Sequence, residues 1–507
     1  MRLEMLQIDL TKISLSPKLW LVNFFLAFLF ILFSSVFVLG NFQSHNGDFG
    51  QYYIHAQNLL KNRPWGYSLE NYPAVLPLYP YLLAIMTFIF GANAFYFSIA
   101  NSVMWGITCT TWASIYKDKF DTKTSGLLYI FFILFTPFVI SFQQEGLPNI
   151  MFAMSCSLAI WATLKCKEEG TSSFFLLLIL LPALIRIESI AVFSAVITYL
   201  LLHKKYLLSL IGVAGIALTI IIDIFIGLNL EMKSNFVVLS DFNQGNIKSS
   251  ENHFYATIIS IFHLASSYVL GFGEMFIPSR LGESSRIFLE FSKTRILSTS
   301  YFHFLVLVIF SMGFFKKAKL FDLDVLFLLS LLGLISLFPL PEAPIRYLLP
   351  IVPIFAFYFI FALIKATYSV VENRTASVFF GFLVLLPLLY LSLKVAIYEP
   401  QRRNFLYNKY TTEMADWVAE NRNERGIGFF KPRLMTVLMD LRDQNNAPDY
   451  NLRSIEMAEK LIQQRQLVVV FNTGGYGQKD ILTHLAKLPA AEVLWKNSSF
   501  TVFGSAP

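Results

Sequence analysis

The chain has 507 residues, of which 55% are hydrophobic and only 14% are charged. Soluble domains are about 45–50% apolar and about 25% charged, and a soluble chain of this length would need more charged surface. The composition therefore excludes a soluble globular enzyme, a disordered chain and a disulfide scaffold, and it indicates a polytopic membrane protein. The formal net charge of +7 does not indicate nucleic-acid binding until the cations are located along the chain.

A series of apolar runs could cross the roughly 30 Å hydrocarbon core of a bilayer. These runs are 19–40, 76–91, 94–115, 125–142, 146–164, 173–185, 190–202, 206–228, 301–315, 325–340, 346–364 and 376–396. No small-residue cleavage site follows the first run, so we interpret it as a span and not as a cleaved signal peptide. The cysteines lie within or at the end of such runs, which predicts no structural disulfide; they are Cys109, Cys156 and Cys166.

Cations cluster between the runs, and successive clusters are separated by two runs each. The clusters are Lys117, Lys119 and Lys123; Lys165 and Lys167; His203, Lys204 and Lys205; Lys316, Lys317 and Lys319; and Lys365 with Arg374. If every intervening run crosses the membrane, all clusters share one face. The positive-inside rule makes that face cytoplasmic, so the net charge is mainly a topological signal.

The basic amino terminus is expected on the same inner face. Three apolar runs separate Lys18 from Lys117, so one of them does not cross. The run 76–91 is short and begins among prolines, and we interpret it as an interfacial or re-entrant helix. About eleven crossings then remain and the carboxyl terminus lies outside, provided that 173–202 forms a hairpin.

This topology places most polar features on the outer face, including the loops 41–93 and 229–300. Residues 1–396 form the predicted transmembrane domain, whereas residues 397–507 are more polar and predict a small soluble α/β domain outside. The strand-like runs of this tail are Gln466–Phe471, Val493–Lys496 and Phe500–Phe503, and its helical runs are Thr412–Asn421 and Ser454–Gln464.

The first outer loop carries an acid, Asp48, at the membrane rim. A carboxylate beside apolar surface can have a raised pKa and act as a base, although Asp48 could also cap the amino terminus of an amphipathic helix. Aromatic and polar side chains follow it within two helical turns: Gln51, Tyr52, Tyr53 and His55. The next segment contains Tyr79 and three prolines, which predict a rigid, extended entry without a regular helix start.

Other outer turns also carry charged residues. Glu145 could orient an acceptor or could be a solvated turn residue. Arg186 and Arg346 lie at span ends, where arginine can bind phosphate or extend to lipid headgroups. Arg186 could also simply pair with Glu188. The long loop 229–300 contains histidines and acids but no metal-binding signature.

The order of these motifs resembles the GT-C glycosyltransferases. Within them it is most similar to the polyprenyl-phosphate-sugar-dependent branch, which includes protein O-mannosyltransferases and lipid A aminoarabinose transferases. The motifs are Asn46–Leu60, Tyr72–Leu83, Ser141–Leu147, Leu181–Glu188 and Arg346–Pro353, and the likeness covers roughly residues 18–396. The chain departs from the family in two places. Phe49 stands where many members carry a second acid, and Glu145 stands where many have Asp.

The resemblance implies an α-helical, GT-C-like membrane enzyme that transfers a sugar from a polyprenyl-phosphate donor to an acceptor hydroxyl, with inversion. It implies Asp48 as general base with Glu145 beside it, and Arg186 and Arg346 on the donor phosphate. It also implies substrate-binding side chains, namely Gln51, Tyr52, Tyr53, His55 and Tyr79. No cofactor is certain, and a divalent metal remains open.

The implied partners are the lipid-linked donor, membrane lipids and a lipid, glycan or protein acceptor, without nucleic acid. The implied location is a bacterial inner membrane, with the tail on the periplasmic or extracellular side. The alternatives are a transporter or flippase of a lipid-linked glycan and a non-catalytic assembly protein. A transporter should place ionisable groups near the bilayer midplane, whereas here they collect at one rim.

Overall fold

The computed structural model describes most of the bundle and of the tail. The described ranges are 47–65, 75–91, 94–120, 123–134, 148–229, 295–336, 344–371, 409–423, 425–440, 449–452, 454–472 and 478–505, with a few single residues between them. Glu145, most of the predicted loop 229–300, the first predicted span and the side chain of Asp48 lie outside the described part.

The amino-terminal part is helical throughout its described residues. Its helices are α1 (Gly47–Leu60), α2 (Leu78–Phe90), α3 (Ala94–Tyr116), α4 (Lys123–Leu134), α5 (Asn149–Glu169), α6 (Ser173–Leu180), α7 (Ser189–Leu202), α8 (Tyr206–Asn229), α9 (Arg295–Lys317), α10 (Leu323–Ser336) and α11 (Val352–Val371). Single helical turns at Leu181–Leu184, Pro344–Tyr347 and Leu349–Ile351 extend α6 and precede α11.

Within the described residues, three helices are long and apolar enough to cross a membrane. They cover Asn149–Glu169, Tyr206–Ile226 and Leu349–Ser369. Shorter apolar helices occupy other predicted spans, and the total of about eleven crossings stays a prediction. The three cysteines are buried and free.

Helix α2, predicted as interfacial or re-entrant, begins inside the proline-rich segment. It starts directly after Pro77 and contains Pro80 in its first turn. The expectation that the prolines prevent a regular helix start is therefore wrong for Pro80. The first N–H groups of a helix have no acceptor within the helix, so proline loses no hydrogen bond there. The exposed side chains of Ile85 and Phe88 on α2 suit an apolar environment.

The segment 173–202 forms two helices that run in opposite directions. At the start of α5, Asn149 binds Arg186, and near the end of α5 the Lys167 ammonium donates to the Tyr199 hydroxyl at 3.0 Å. The chain therefore returns between Lys167 and Arg186 and runs back again along α7. This geometry confirms the predicted reversal.

Residues from separate basic clusters meet at one end of the helices. Lys119 forms an ion pair with Asp322 at 3.1 Å, in the short turn that follows the basic end of α9. Lys317 and Lys365 both lie over the ring of Phe361, at 5.0 and 5.8 Å from its centroid. These contacts support the common inner face that the charge pattern predicts.

The tail forms an α/β unit around a mixed sheet. Its elements are α12 (Lys409–Asn421), β1 (Ile427–Phe429), α13 (Pro432–Asp440), β2 (Asp449–Asn451), α14 (Ile455–Gln463), β3 (Leu467–Phe471), α15 (Gln478–Leu485), β4 (Ala491–Lys496) and β5 (Phe500–Ser505). The strand order is β2-β1-β3-β5-β4, with β1 parallel to β2 and β3, and β5 antiparallel to β3 and β4. The three predicted strand-like runs become β3, β4 and β5.

The tail packs directly on the first outer helix. α1 lies between α2 and α13, and its residues from Phe49 to Asn58 are all buried except Tyr52. The expectation of an amphipathic α1 is therefore wrong. Polar residues such as Gln57 are buried because the tail, nearly four hundred residues away in sequence, covers a helix face that local sequence assigns to water.

Candidate active site

The side chain of Arg186 is fixed through all three of its guanidinium nitrogens. It lies in the turn between α6 and α7, where Nε donates to Glu188 Oε2 at 2.9 Å and Nη2 donates to Oε1 at 2.8 Å. Nη1 donates to Asn149 Oδ1 at 2.5 Å. The two charged side chains are only 11% and 6% exposed, so this is a buried, bidentate ion pair.

Burial and charge oppose each other in this pair. Burial alone would lower the pKa of Arg186 and raise the pKa of Glu188, because it disfavours the charged forms. The ion pair reverses both effects and holds the pKa of Arg186 well above, and that of Glu188 below, its ordinary value. Arg346 lowers the pKa of Glu188 further, so the pair is ionised at neutral pH.

Tyr347 joins the two arginines that the sequence places in separate motifs. The guanidinium carbon of Arg186 lies 4.8 Å from the centre of the Tyr347 ring, and that of Arg346 lies 5.2 Å from it. Arg346 Nη2 also donates to the Tyr347 hydroxyl at 3.4 Å. Arg186, Glu188, Asn149, Arg346 and Tyr347 are called the outer cluster below.

Helix α1 reaches this cluster through Tyr52. The phenol of Tyr52 is close enough to contribute to the raised pKa of Arg186, and its ring packs edge-on against Tyr79 at 5.4 Å. Asp48 lies in the first turn of the same helix, four residues earlier. Tyr52, on the helix of the predicted base, is therefore within electrostatic range of Arg186, one of the two predicted phosphate-binding arginines.

His55 has a different setting from Tyr52. Its ring is fully buried and stacks on Trp65 at 4.5 Å, and its Nδ1 lies 2.7 Å from the Trp65 carbonyl oxygen. Burial lowers the pKa of His55 to about 3, against the opposing effect of that hydrogen bond, so the ring is neutral and Nδ1 donates. These contacts hold the turn after α1; the buried Gln51 and Tyr53 are on the same helix. Substrate binding by these side chains stays a prediction.

Two members of the outer cluster, Asn149 and Tyr347, are not among the site residues that the sequence predicts. The amide Nδ2 of Asn149 is buried and has no hydrogen-bond acceptor among the described residues. Asn149 follows Pro148 near the end of an apolar run that the topology places at the outer face. This position would have predicted that Asn149 lies on the same face as Arg186. Tyr347 was visible only as part of the Arg-Tyr motif.

The described part of the chain contains no group of three potential metal ligands. The side chains of Asp48 and Glu145 lie outside that part, so the structure does not test a divalent metal at the predicted acidic site.

Solved structures of two transferases share the arrangement of these helices. ArnT from Cupriavidus metallidurans, solved with bound undecaprenyl phosphate, aligns with a TM-score of 0.55 over 97% of this chain and 100% of its own, at 10% identity. An Archaeoglobus fulgidus oligosaccharyltransferase, solved with Zn and sulfate, aligns with a TM-score of 0.56 over 95% of this chain and 73% of its own, at 13% identity. This chain has their fold.

The predicted resemblance to the GT-C glycosyltransferases is thus confirmed at the level of the fold. ArnT in the apo state aligns equally well, with a TM-score of 0.56 and 11% identity. The fold and the long apolar helices make this chain an integral membrane protein. No protein-family model and no curated protein matches the sequence.

Proposed function

We propose that this chain is an inverting membrane glycosyltransferase. It moves a sugar from a polyprenyl-phosphate donor to an acceptor hydroxyl at the outer face of the membrane. The acceptor belongs to a lipid, a glycan or a protein, and the membrane is a bacterial inner membrane. The fold it shares with ArnT, which was solved with undecaprenyl phosphate, supports a lipid-phosphate-linked donor.

One observation carries the proposal: Tyr52 of α1 interacts electrostatically with Arg186 of the outer cluster. Tyr52 of α1 lies close enough to Arg186 to affect its pKa, and Arg346 lies close enough to Glu188 to do the same. Asp48 begins the same helix. A base and a set of cations on neighbouring elements are what transfer from a phosphate leaving group requires.

In the proposed step, Asp48 accepts the proton of the acceptor hydroxyl while that oxygen attacks the anomeric carbon. The bond between the anomeric carbon and the phosphate oxygen breaks, and its electron pair leaves with the polyprenyl phosphate. Attack from the face opposite the leaving group inverts the anomeric configuration. Negative charge on the phosphate grows in the transition state, and nearby guanidinium groups stabilise it.

The contacts of Arg186 indicate its part in binding the donor phosphate. Arg186 gives three of its donor groups to Glu188 and Asn149, which suits a cation with a fixed position. We assign Arg186 to phosphate binding as a cation of fixed position, together with Arg346 as the second cation. The two guanidinium groups and Glu188 together leave one net positive charge, which favours a phosphate monoanion or dianion.

Replacing Asp48 with Asn tests this function. The full chain is reconstituted in nanodiscs with undecaprenyl-phosphate-linked sugars and candidate acceptors, and product is followed by mass spectrometry. Sugar transfer should fall by about 10²–10⁴-fold, because general-base catalysis contributes on that order. Binding of undecaprenyl phosphate should be retained.

Asp118→Asn, in an exposed inner turn, is the matched control and should transfer sugar like the wild type. Unchanged transfer by Asp48→Asn would refute the mechanism. Donor movement across the bilayer without any sugar transfer by the wild type would instead favour the flippase alternative.

A further inference from the structure

We propose that the carboxyl-terminal α/β unit is a positioning part of the active site, acting through α13. Its contact with α1 fixes the helix that carries Asp48 and Tyr52 relative to the outer cluster. This inference rests on the proposed function and assigns a role in it to a region that no sequence motif connects with catalysis.

Helix α13 is covered on more than one side. Its apolar side chains are at most 1% exposed although they spread over more than half of the helix circumference: Leu434, Met435, Val437, Leu438 and Met439. Strands β1 and β2 cover one side and α1 covers another. The helix is therefore a layer between the sheet of the tail and the first outer helix.

The contact between α13 and α1 is made by backbone. A Cβ atom placed on Gly50 would lie 2.8 Å from the carbonyl oxygen and 3.0 Å from the carbonyl carbon of Arg433. Real Cβ atoms do not approach other atoms so closely, so only glycine permits this spacing. Because no flexible side chain lies between the two backbones, the position of α13 directly sets the position of α1.

The opposite side of α1 carries Tyr52. Gly50 and Tyr52 are two residues apart, which places them about 200° apart around a helix of 3.6 residues per turn. Gly50 lies against α13, while Tyr52 affects the pKa of Arg186 and packs on Tyr79. A displacement of α1 away from α13 would therefore move Tyr52 and the first turn with Asp48 toward or past the cluster.

Gly50→Ala in the full chain tests this positioning role. The added methyl group must push α1 away from Arg433, and a misplacement of about 1 Å can lower a rate by about 10²-fold. We expect kcat for sugar transfer to fall about 10- to 100-fold, with the KM for the donor changed far less. Hydrogen exchange should speed up in peptides that cover α1 and α13.

Gly333→Ala is the matched control, since a Cβ atom on Gly333 in α10 would meet no atom within 4 Å. It should leave kcat and hydrogen exchange in α1 and α13 unchanged. Val437→Ala is the second variant, because Val437 lies one helical turn beyond Arg433 on the same side. It loosens the contact without a clash and should lower kcat by about three- to tenfold.

The inference is overturned if Gly50→Ala folds and keeps wild-type kcat, or if Gly333→Ala loses as much activity. A Gly50→Ala protein that does not fold leaves Val437→Ala to decide by the same measurements. If the wild type itself transfers no sugar, the proposed function fails. In that case, hydrogen exchange of Gly50→Ala still tests the coupling between the two helices. A change in α13 alone, without a change in α1, refutes it.

Discussion

Two buried carboxylates stand at opposite ends of the helices, and they are held in different ways. In the outer cluster, Glu188 receives two hydrogen bonds from the guanidinium group of Arg186. At the inner end, Asp324 Oδ2 accepts hydrogen bonds from the hydroxyls of Tyr116 at 2.7 Å and Tyr358 at 3.1 Å. Tyr116, Lys119, Asp322, Asp324 and Tyr358 are called the inner cluster.

The inner cluster is a structural anchor. Its residues come from α3, the start of α10 and the middle of α11, so Asp324 ties three helices together. Lys119, about a third exposed, lies 3.7 Å from Asp324 and supplies its positive partner from the inner surface. The tyrosine rings belong to a packed aromatic core, in which Tyr116 stacks on Phe357 at 4.0 Å.

The outer cluster differs from the inner cluster in its charge and in its hydrogen bonds. It contains an excess of positive charge, and one of its buried donors, Asn149 Nδ2, has no acceptor among the described residues. A buried donor without an acceptor costs about 1–3 kcal/mol. The two clusters thus differ in the partners of a buried acid, which are the Arg186 guanidinium group in one cluster and tyrosine hydroxyls in the other.

The largest effect is expected for Glu188→Gln in the outer cluster. Removing the charge leaves the guanidinium of Arg186 buried without its ionised partner, which typically destabilises a protein by about 3–5 kcal/mol. The free energy of unfolding, measured by denaturant titration in detergent, should fall by that amount. Sugar transfer per folded molecule should also fall. A variant of wild-type stability would mean that the pair is not essential to the fold.

A smaller effect is expected for Asp324→Asn in the inner cluster. The amide oxygen can still accept from both tyrosine hydroxyls, but the charge that strengthens these hydrogen bonds is lost, so we expect a smaller destabilisation of about 1.5–3 kcal/mol. Sugar transfer per folded molecule should be unchanged. Loss of transfer at full folding would show that the inner cluster is more than an anchor.

The next prediction concerns how the free energy of unfolding depends on pH through His55 in α1. The pKa of His55 in the folded chain is about 3, so the unfolded chain binds a proton on this histidine below its ordinary pKa of about 6.5 while the folded chain does not. Stability should therefore fall by about 1.4 kcal/mol for each pH unit below about 6.5, until the folded pKa is reached.

His55→Gln should remove this slope, as thermal unfolding of both proteins at pH 7, 6 and 5 would reveal. Glu188 affects the free energy of unfolding in a separate, more acidic pH range. Its folded pKa lies below its ordinary value, so its stabilisation is complete above about pH 4.3 and is lost only as the pH falls through the folded value. A slope that persists in His55→Gln between pH 7 and 5 would contradict the assignment to His55.

Sequence patterns predict much of the bundle because its helices are long and apolar. The runs 94–115 and 206–228 become α3 and α8 within two residues at each end, and residues in or beside three of the five basic clusters lie close together. In the tail, the predicted strand-like run Gln466–Phe471 becomes β3, whose valines are buried as expected in a central strand.

The missed features depend on contacts that local sequence does not encode. Strands β1 and β2 have only three residues each, too few for a periodic signal. The burial of α1 depends on α13, and the outer cluster assembles Asn149, Arg186 and Tyr347 from three distant segments. Motif order and topology predict that the two arginines share a face, but not that one aromatic ring joins them.

The contact between Gly50 and Arg433 also bears on how the protein is made. Ribosomes add about 5–20 residues per second, so α1 leaves the ribosome roughly 20–80 s before the helix that completes its packing. During that interval the first outer loop lacks the surface that buries it. The final arrangement of α1 therefore waits until α13 has been synthesised, which delays folding of the first part of the chain.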